Sequence, residues 1–290
     1  MQILEIACAK LNLGLDVIGR RADGYHELIS VMQSISLCDH LYAEREAEGT
    51  LSLDTGGALP ADDSNLIIRA ARAYFAASGR SFGVRFRLEK NIPMQAGMGG
   101  GSADAAAALR ALERLSDAPL GEEKLLKISA QLGADVPFCL LGGTQLCRGI
   151  GERMLPIKNR LPRYVVAAMA GEGVSTPAAF AALDAAFGDF ALPAAEAAVR
   201  FPALQVAIEG GSTPLFSANV YNRFEDVIEP LRPAVAVLKQ KLLAQGAYAA
   251  RMSGSGPSVY GLFTSAEAAE NAARVLEAEG IRAFSCEMLQ

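Results

Sequence analysis

The stretch Asn91-Ile92-Pro93-Met94-Gln95-Ala96-Gly97-Met98-Gly99-Gly100-Gly101-Ser102-Ala103-Asp104 puts glycine at four of the five positions from Gly97 to Gly101 and runs directly into an alanine-rich segment. Glycine adopts positive φ without steric cost and lets a backbone approach a ligand closely. The alanine run behind it predicts a helix over residues 102–115. The start of such a helix carries amides with no intrahelical acceptor and the positive end of the helix dipole. Together these features predict an anion site of the kind that holds phosphates, with Ser102 able to cap the helix or to donate to a phosphate or a magnesium-bound water. A glycine turn with no ligand would share the same composition. Two common nucleotide patterns are excluded. No Gly-Lys-Ser/Thr occurs anywhere in the chain, and Ser102 stands where G-x-G-x-x-G needs its third glycine.

Upstream of the loop, β-rich runs are predicted near residues 3–7, 13–18, 28–37 and 41–46. A turn-rich stretch over 54–63 follows. Ser64 offers an N-cap for a helix over 65–78 that Gly79 stops, and residues 82–88 alternate as a strand. Downstream, a helix is expected over 120–132, ended by Gly133, and residues 136–147 read as a strand kinked at Gly142-Gly143. Residues 164–169 read as a buried strand with an alanine-rich helical region beyond, while 188–214 show no clear periodicity. Helix over 235–245, strands over 248–252 and 259–263, helix over 266–279 and strand over 281–287 complete the reading. Strands and helices come in mixed and segregated order, which predicts an α+β fold rather than a regular βαβ array. A chain of 290 residues is long for one core, and the polar, turn-rich stretch at 149–162 suggests domains over 1–152 and 153–290.

Composition bounds the partners. Lys and Arg number 27 against 32 Asp and Glu, a formal charge of −5 with a sequence pI near 5.3, so nucleic acid is not an expected partner. Half of the residues are apolar and a fifth charged, with a mean hydropathy of +0.22, as in a folded soluble protein. No window offers about 20 uninterrupted apolar residues, and the first residues show no basic region followed by an apolar one. A membrane partner is not expected, and a cytoplasmic location is. Cys8, Cys38, Cys139, Cys147 and Cys286 are scattered, odd in number and without a C-x-x-C pair, and with only His26 and His40 beside them a structural zinc site is not expected. Reduced thiols in a reducing compartment fit this usage.

Three segments read together carry a resemblance. The loop from Pro93 to Ala103 resembles the P-x-x-x-G-L-G-G/S-S-S/A motif of the GHMP kinases. Met252-Ser253-Gly254-Ser255-Gly256-Pro257-Ser258-Val259 resembles their second glycine-rich motif, and Ala9-Lys10-Leu11-Asn12-Leu13 their opening strand. Gly19-Arg20-Arg21-Ala22-Asp23-Gly24-Tyr25-His26-Glu27-Leu28 and Gly133-Ala134-Asp135-Val136-Pro137-Phe138 narrow it. They resemble the members that phosphorylate the 2-hydroxyl of cytidine diphosphate methylerythritol in the non-mevalonate route to isoprenoid precursors. The resemblance weakens only around residues 188–214. It implies a ribosomal-protein-S5-like N-terminal domain, a ferredoxin-like C-terminal domain, ATP, and magnesium brought in with ATP. Cys8 departs from the family's frequent proline, Gln95-Ala96 and Met98 from its glycines and leucine, and Ala103-Asp104 lacks a common serine hydroxyl.

Residue by residue, the resemblance makes Lys10 and Asp135 catalytic. It assigns Asn65, Lys90, Pro93, Gly97, Gly99, Gly100, Gly101, Ser102 and Ala103 to the nucleotide, and Asn12, Tyr25, His26 and Phe180 to the substrate. No dedicated metal ligands are implied. The residues themselves allow plainer roles. An inward lysine on an apolar strand needs an anionic partner, but at a strand edge it can snorkel. Asp135 follows a helix stop and precedes Val136-Pro137, whose proline favours an extended Val136, and turn aspartates also bond their own backbone. Tyr25 can stack on a planar base and His26 can bond its edge, while Phe180 reads equally as a core residue of its helix. Asn65 competes with Ser64 as an N-cap, and Lys90 can be a solvated strand-end charge. A homoserine or mevalonate type of GHMP kinase would leave Tyr25 and His26 unexplained. RNA binding on a related scaffold runs against the acidic balance. A monomer or a homodimer is expected.

Overall fold

Two long strands open the chain, β1 (Gln2–Arg20) and β2 (His26–Glu46), which pair with each other across the turn at Arg21–Tyr25. The sequence suggests four shorter runs instead. The polar residues that interrupt the apolar pattern, Lys10, Asn12 and Asp39, stay buried within the strands, where hydrogen bonds rather than turns accommodate them. The computed structural model describes residues 2–79, 82–188 and 190–290.

After β3 (Leu51–Asp54), helix α1 (Leu66–Ser78) starts on Asn65, whose side chain accepts from the Ile67 amide at 2.9 Å. Ser64, the cap suggested by the sequence, bonds Asp62 instead, and Gly79 ends the helix in the left-handed conformation. Strand β4 (Gly83–Glu89) leads to the glycine loop and α2 (Gly100–Leu115), followed by α3 (Glu122–Leu132) and α4 (Val136–Leu141). The kinked strand expected over 136–147 is therefore wrong in its first half. Pro137 sits at the start of a short helix, where its missing N–H costs nothing, and Val136 is helical rather than extended. Only after Gly142-Gly143 does the chain extend, as β5 (Thr144–Gly149) and β6 (Arg153–Pro156).

The remainder runs β7 (Tyr164–Met169), α5 (Thr176–Phe187), α6 (Ala191–Gly210), α7 (Thr213–Asn219), α8 (Glu225–Leu231), α9 (Pro233–Ala244), β8 (Ala249–Met252), β9 (Ser258–Phe263), α10 (Ala266–Ala278) and β10 (Ala283–Glu287). Residues 188–214, which show no periodicity in the sequence, thus hold all of α6 and the start of α7, with Asp189 outside the described residues. The outward face of α6 carries Leu192, Val199 and Val206, and Pro202 lies inside it. Apolar residues all round erase the polar stripe by which an amphipathic helix is recognised. Among the described residues, no single helix is long and apolar enough to cross a membrane.

The chain divides into two compact units that interleave along the sequence. One comprises Met1–Ala9, Leu37–Met94 and Gly99–Leu141. In it β4 lies between β2, antiparallel, and β3, parallel. Helix α2 packs against α1 and α4. The buried alanines from Ala103 to Ala108 make α2 slim enough for such close neighbours.

The other unit comprises Lys10–Ser36, Gln95–Met98 and Gly142–Gln290. Its first sheet pairs β5 with β2 and with β6, all antiparallel. Its second, in the order β10-β7-β9-β8, is antiparallel throughout. With α9 before β8 and α10 before β10, this is the ferredoxin-like βαββαβ arrangement. Val166, Val259, Phe263, Leu238, Leu242 and Leu276 form part of its core.

Within this second unit a buried ion network ties β1 to the chain ahead of α8. Asp16 is fully buried and accepts from Arg223 Nε at 2.7 Å and Nη2 at 3.2 Å, while Arg223 also reaches Glu196 and Asp226. Burial raises the Asp16 pKa, and the Arg223 guanidinium opposes that rise. Removing one partner of a buried pair strands the other's charge. Arg223→Leu should therefore cost roughly 3 kcal/mol of stability, seen as a lower urea midpoint at unchanged slope. A midpoint equal to that of the wild type would show that Arg200, 3.3 Å from Asp16, suffices alone.

Candidate active site

In the first unit, the glycine turn opens α2 as the sequence predicts, two residues earlier than expected. Gly99 takes the N-cap position with φ 69°, and the helix begins at Gly100. The Ala103 amide already donates to the Gly99 carbonyl at 2.8 Å. Helix geometry leaves the amides of Gly100, Gly101 and Ser102 without intrahelical acceptors, and no side chain caps them. Gly101 is exposed and Ser102 half-buried, whereas Pro93 and Ala103 are buried and shape the turn rather than line its open side. The cradle can therefore hold an anion through main-chain N–H groups and the helix dipole.

Beneath this cradle lies an ionic cluster that the sequence reading does not foresee. Lys90, just past β4, donates to Asp39 of β2 and to Asp104 of α2, the latter at 2.8 Å. Asp39 also accepts the amides of Asn91 at 2.6 Å and Ile92 at 2.8 Å, which fixes the chain entering the loop. A Cβ on Gly100 would stand 3.0 Å from Lys90 Nζ, so the ammonium lies directly against the first residue of α2. Lys90 is thus an ordered, nearly buried cation rather than a solvated strand-end charge. Asp104 could have been noticed, since an ionisable residue inside the buried alanine run demands a partner. Asp39 carries no such signal, because its partners lie some fifty residues away.

Asn65 and Asp135 occupy other places in this unit. The Asn65 side chain is committed to capping α1 and to the Pro60 carbonyl at 2.8 Å. Beside it, Leu51, Ala61, Ser64, Ile68 and Arg72 border a cavity of about 400 Å³. Asp135 is half-buried immediately before α4, and its carbonyl accepts the Cys139 amide at 3.0 Å. The carboxylate therefore leaves the backbone at a helix start, not at the extended corner that the sequence implies.

In the second unit, Lys10 and Asn12 sit two apart on β1 and so share a face. Lys10 is buried and donates to Asn12 Oδ1 at 2.7 Å. Asn12 Nδ2 donates to Ser30 Oγ at 2.9 Å, and Ser30 to the Gly14 carbonyl at 2.7 Å. The Asn12 amide donates to Ser253 Oγ at 3.3 Å, and Ser253 to the Gly97 carbonyl at 3.1 Å. The turn at Ser253–Pro257, which holds a cis Gly256–Pro257 bond, thereby packs on residues 95–98, and Ser258 Oγ also donates to the Ala96 carbonyl. Both glycine-rich motifs of the sequence meet here.

Tyr25 and His26 end up in different environments. The Tyr25 ring is 61% exposed at the β1–β2 turn, free to meet a planar ligand. His26 is buried, its Nε2 2.7 Å from Asp184 Oδ1, and Phe180 stacks on its ring at 4.5 Å between centroids. Phe224 meets Phe180 edge-on. Phe180 thus packs on the histidine itself while keeping one side toward the core of its helix. Asp184, which fixes the orientation of the His26 ring, is missed by sequence reasoning because it lies 158 positions along the chain.

The profile of the GHMP kinases N terminal domain matches residues 65–143, and that of the GHMP kinases C terminal region matches residues 203–282. The 4-diphosphocytidyl-2-C-methyl-D-erythritol kinase of Desulfitobacterium hafniense (strain Y51) is 41% identical over 94% of this chain and 91% of its own. That of Pelotomaculum thermopropionicum (strain DSM 13744 / JCM 10971 / SI) is 43% identical over 94% and 93%. A crystal structure of 4-(cytidine 5'-diphospho)-2C-methyl-D-erythritol kinase superposes with a TM-score of 0.82 at 36% identity, covering 99% of this chain and 100% of that one. A homoserine kinase from Cytophaga hutchinsonii ATCC 33406 gives 0.78 at 22% identity over 99% and 94%, a likeness of fold.

Gly97 sustains the joint between the two glycine turns. It holds φ 72°, and a Cβ there would stand 2.3 Å from the Ser253 carbonyl oxygen. Gly97→Ala should lose about 2 kcal/mol, from the left-handed backbone and the displaced carbonyl together, and lower the thermal midpoint accordingly. A midpoint unchanged from the wild type would mean that this turn can move aside freely.

Proposed function

The chain belongs to the 4-diphosphocytidyl-2-C-methyl-D-erythritol kinases of the GHMP superfamily, and from that membership we propose that it transfers the γ-phosphoryl group of ATP to the 2-hydroxyl of 4-diphosphocytidyl-2-C-methyl-D-erythritol. The observation that carries this reading is the glycine turn whose uncapped amides open α2, in a chain related along nearly its whole length to enzymes of that name. A domain boundary at 152/153 falls between the two matched profiles. The reaction takes place in the cytoplasm, in a monomer or homodimer, as one step of isoprenoid precursor synthesis.

The amides of Gly99, Gly100, Gly101 and Ser102 and the dipole of α2 bind the phosphates, with Pro93, Gly97 and Ala103 shaping the loop and Asn65 and Lys90 bordering the nucleotide. Magnesium bound together with the nucleotide would neutralise charge that develops during transfer. The N–H donors of the cradle and the Ser102 hydroxyl suit that anionic complex. Asp135 accepts the proton of the attacking hydroxyl from its place at the start of α4. Lys10, held by Asn12, offers a buried positive charge to the developing alkoxide or to the phosphoryl group in flight. Tyr25 stacks on the cytosine, His26 reads its edge, and Phe180 holds the His26 ring in place. Asn12 meets the polyol.

Asp135→Asn keeps the shape and removes the base. ATP consumption with the cytidyl substrate should fall by about a hundredfold or more, with KM for ATP within a few fold of the wild type. Turnover near the wild-type rate in Asp135→Asn would overturn the role of Asp135. Faster phosphorylation of homoserine than of the cytidyl substrate by the wild type would overturn the substrate.

A further inference from the structure

Two carboxylates share one ammonium in the cluster under α2, and they are not equally served. Asp39 accepts from Lys90 and from two main-chain amides. Asp104 accepts from Lys90 and lies against the Asp39 carboxyl, and its Oδ1 is buried without a hydrogen-bond partner. With both carboxylates ionised the cluster carries an excess negative charge. That charge falls on Asp104, in the second turn of the helix whose first amides face the nucleotide phosphates. An anion bound at the cradle and an ionised Asp104 repel each other, and the Lys90 ammonium beside Gly100 is divided between them.

We propose that Asp104 is a proton-linked positioning residue, and that nucleotide binds best to the form of the protein in which this buried carboxyl is protonated. Protonation removes the charge from a carboxyl whose buried Oδ1 receives no donor, cancels the excess charge and leaves Lys90 free of one of its two anions while Asp39 still anchors it. Burial pushes the Asp104 pKa up to about 7, with the Lys90 charge pulling it down and Asp39 pushing it further up. These two, from the end of β4 and from β2, are the charged groups that act on it. The switch therefore lies in the working range of a cytoplasmic enzyme. Bound phosphates raise the pKa further, so binding takes up a proton, and affinity is highest below pH 7 and falls as the pH rises through it.

The inference rests on nucleotide binding at α2, and the test separates the two. Isothermal titration of the intact chain with the magnesium complex of a non-hydrolysable ATP analogue, in two buffers of different ionisation enthalpy, reads affinity and proton uptake together. From about pH 6 to about pH 8 the wild-type Kd should rise by roughly three- to tenfold more than that of Asp104→Asn, since one unit of pKa displacement corresponds to tenfold. Near neutrality the wild type should take up a fraction of a proton that the variant does not, and a purely structural role would move neither quantity. Carbon-detected NMR of the Asp104 carboxyl in the wild-type chain gives the same answer without a variant, as an upward shift of its titration midpoint when the analogue is added. Equal pH dependence and uptake in both proteins, or a carboxyl midpoint that ignores the nucleotide, would overturn the proposal. Failure of the wild type to bind the analogue at all would instead overturn the kinase reading.

Discussion

A single ammonium answers for the geometry of the glycine loop. Lys90 reaches Asp39, which grips the chain at Asn91 and Ile92, and it reaches Asp104 inside α2. The segment entering the loop and the helix leaving it are thus referred to one point charge. Glycine at position 100 is what lets that charge approach the main chain. A loop so rich in glycine would otherwise carry a large entropic cost to order. Here the ordering is done by buried electrostatics at its two ends, and the open turn at Gly99, Gly100 and Gly101 between them carries no side chains.

The second unit solves a similar problem with neutral groups. Lys10 is oriented by Asn12, Asn12 by Ser30 and Ser253, and Ser253 by the Gly97 carbonyl. Each hydroxyl or amide both donates and accepts, so the buried lysine is held without a rigid scaffold of its own. Such fully satisfied polar chains specify one arrangement at low cost, whereas a gap would leave a desolvated group unpaired.

What was legible in the sequence follows from range. The phosphate loop, Gly79 and Gly133 as helix stops, and the later strands and helices were visible because composition and local periodicity determine them. Asp39 and Asp184 were not, since each acquires meaning only from a partner far along the chain. The segment after Asp135 departs from its sequence pattern because proline, which favours an extended neighbour, is equally at home in a first helical turn. Helix α6 shows no period for the opposite reason, having too little polarity on its outward face. Asn65 caps α1 through the Ile67 amide, a role its position beside Ser64 left open in the sequence.

The interleaving of the two units has a bearing on how the protein comes to be made. The first unit holds all of its residues once Leu141 has been synthesised, so it can close while the rest of the chain is still on the ribosome. The second cannot, because residues 10–36 must wait for β7 to β10, the last of which ends at Glu287. For the time it takes to translate the intervening half of the gene, one β-hairpin is complete at one end and has only β5 and β6 beside it at the other. Neither unit can be cut out as a continuous stretch of the gene.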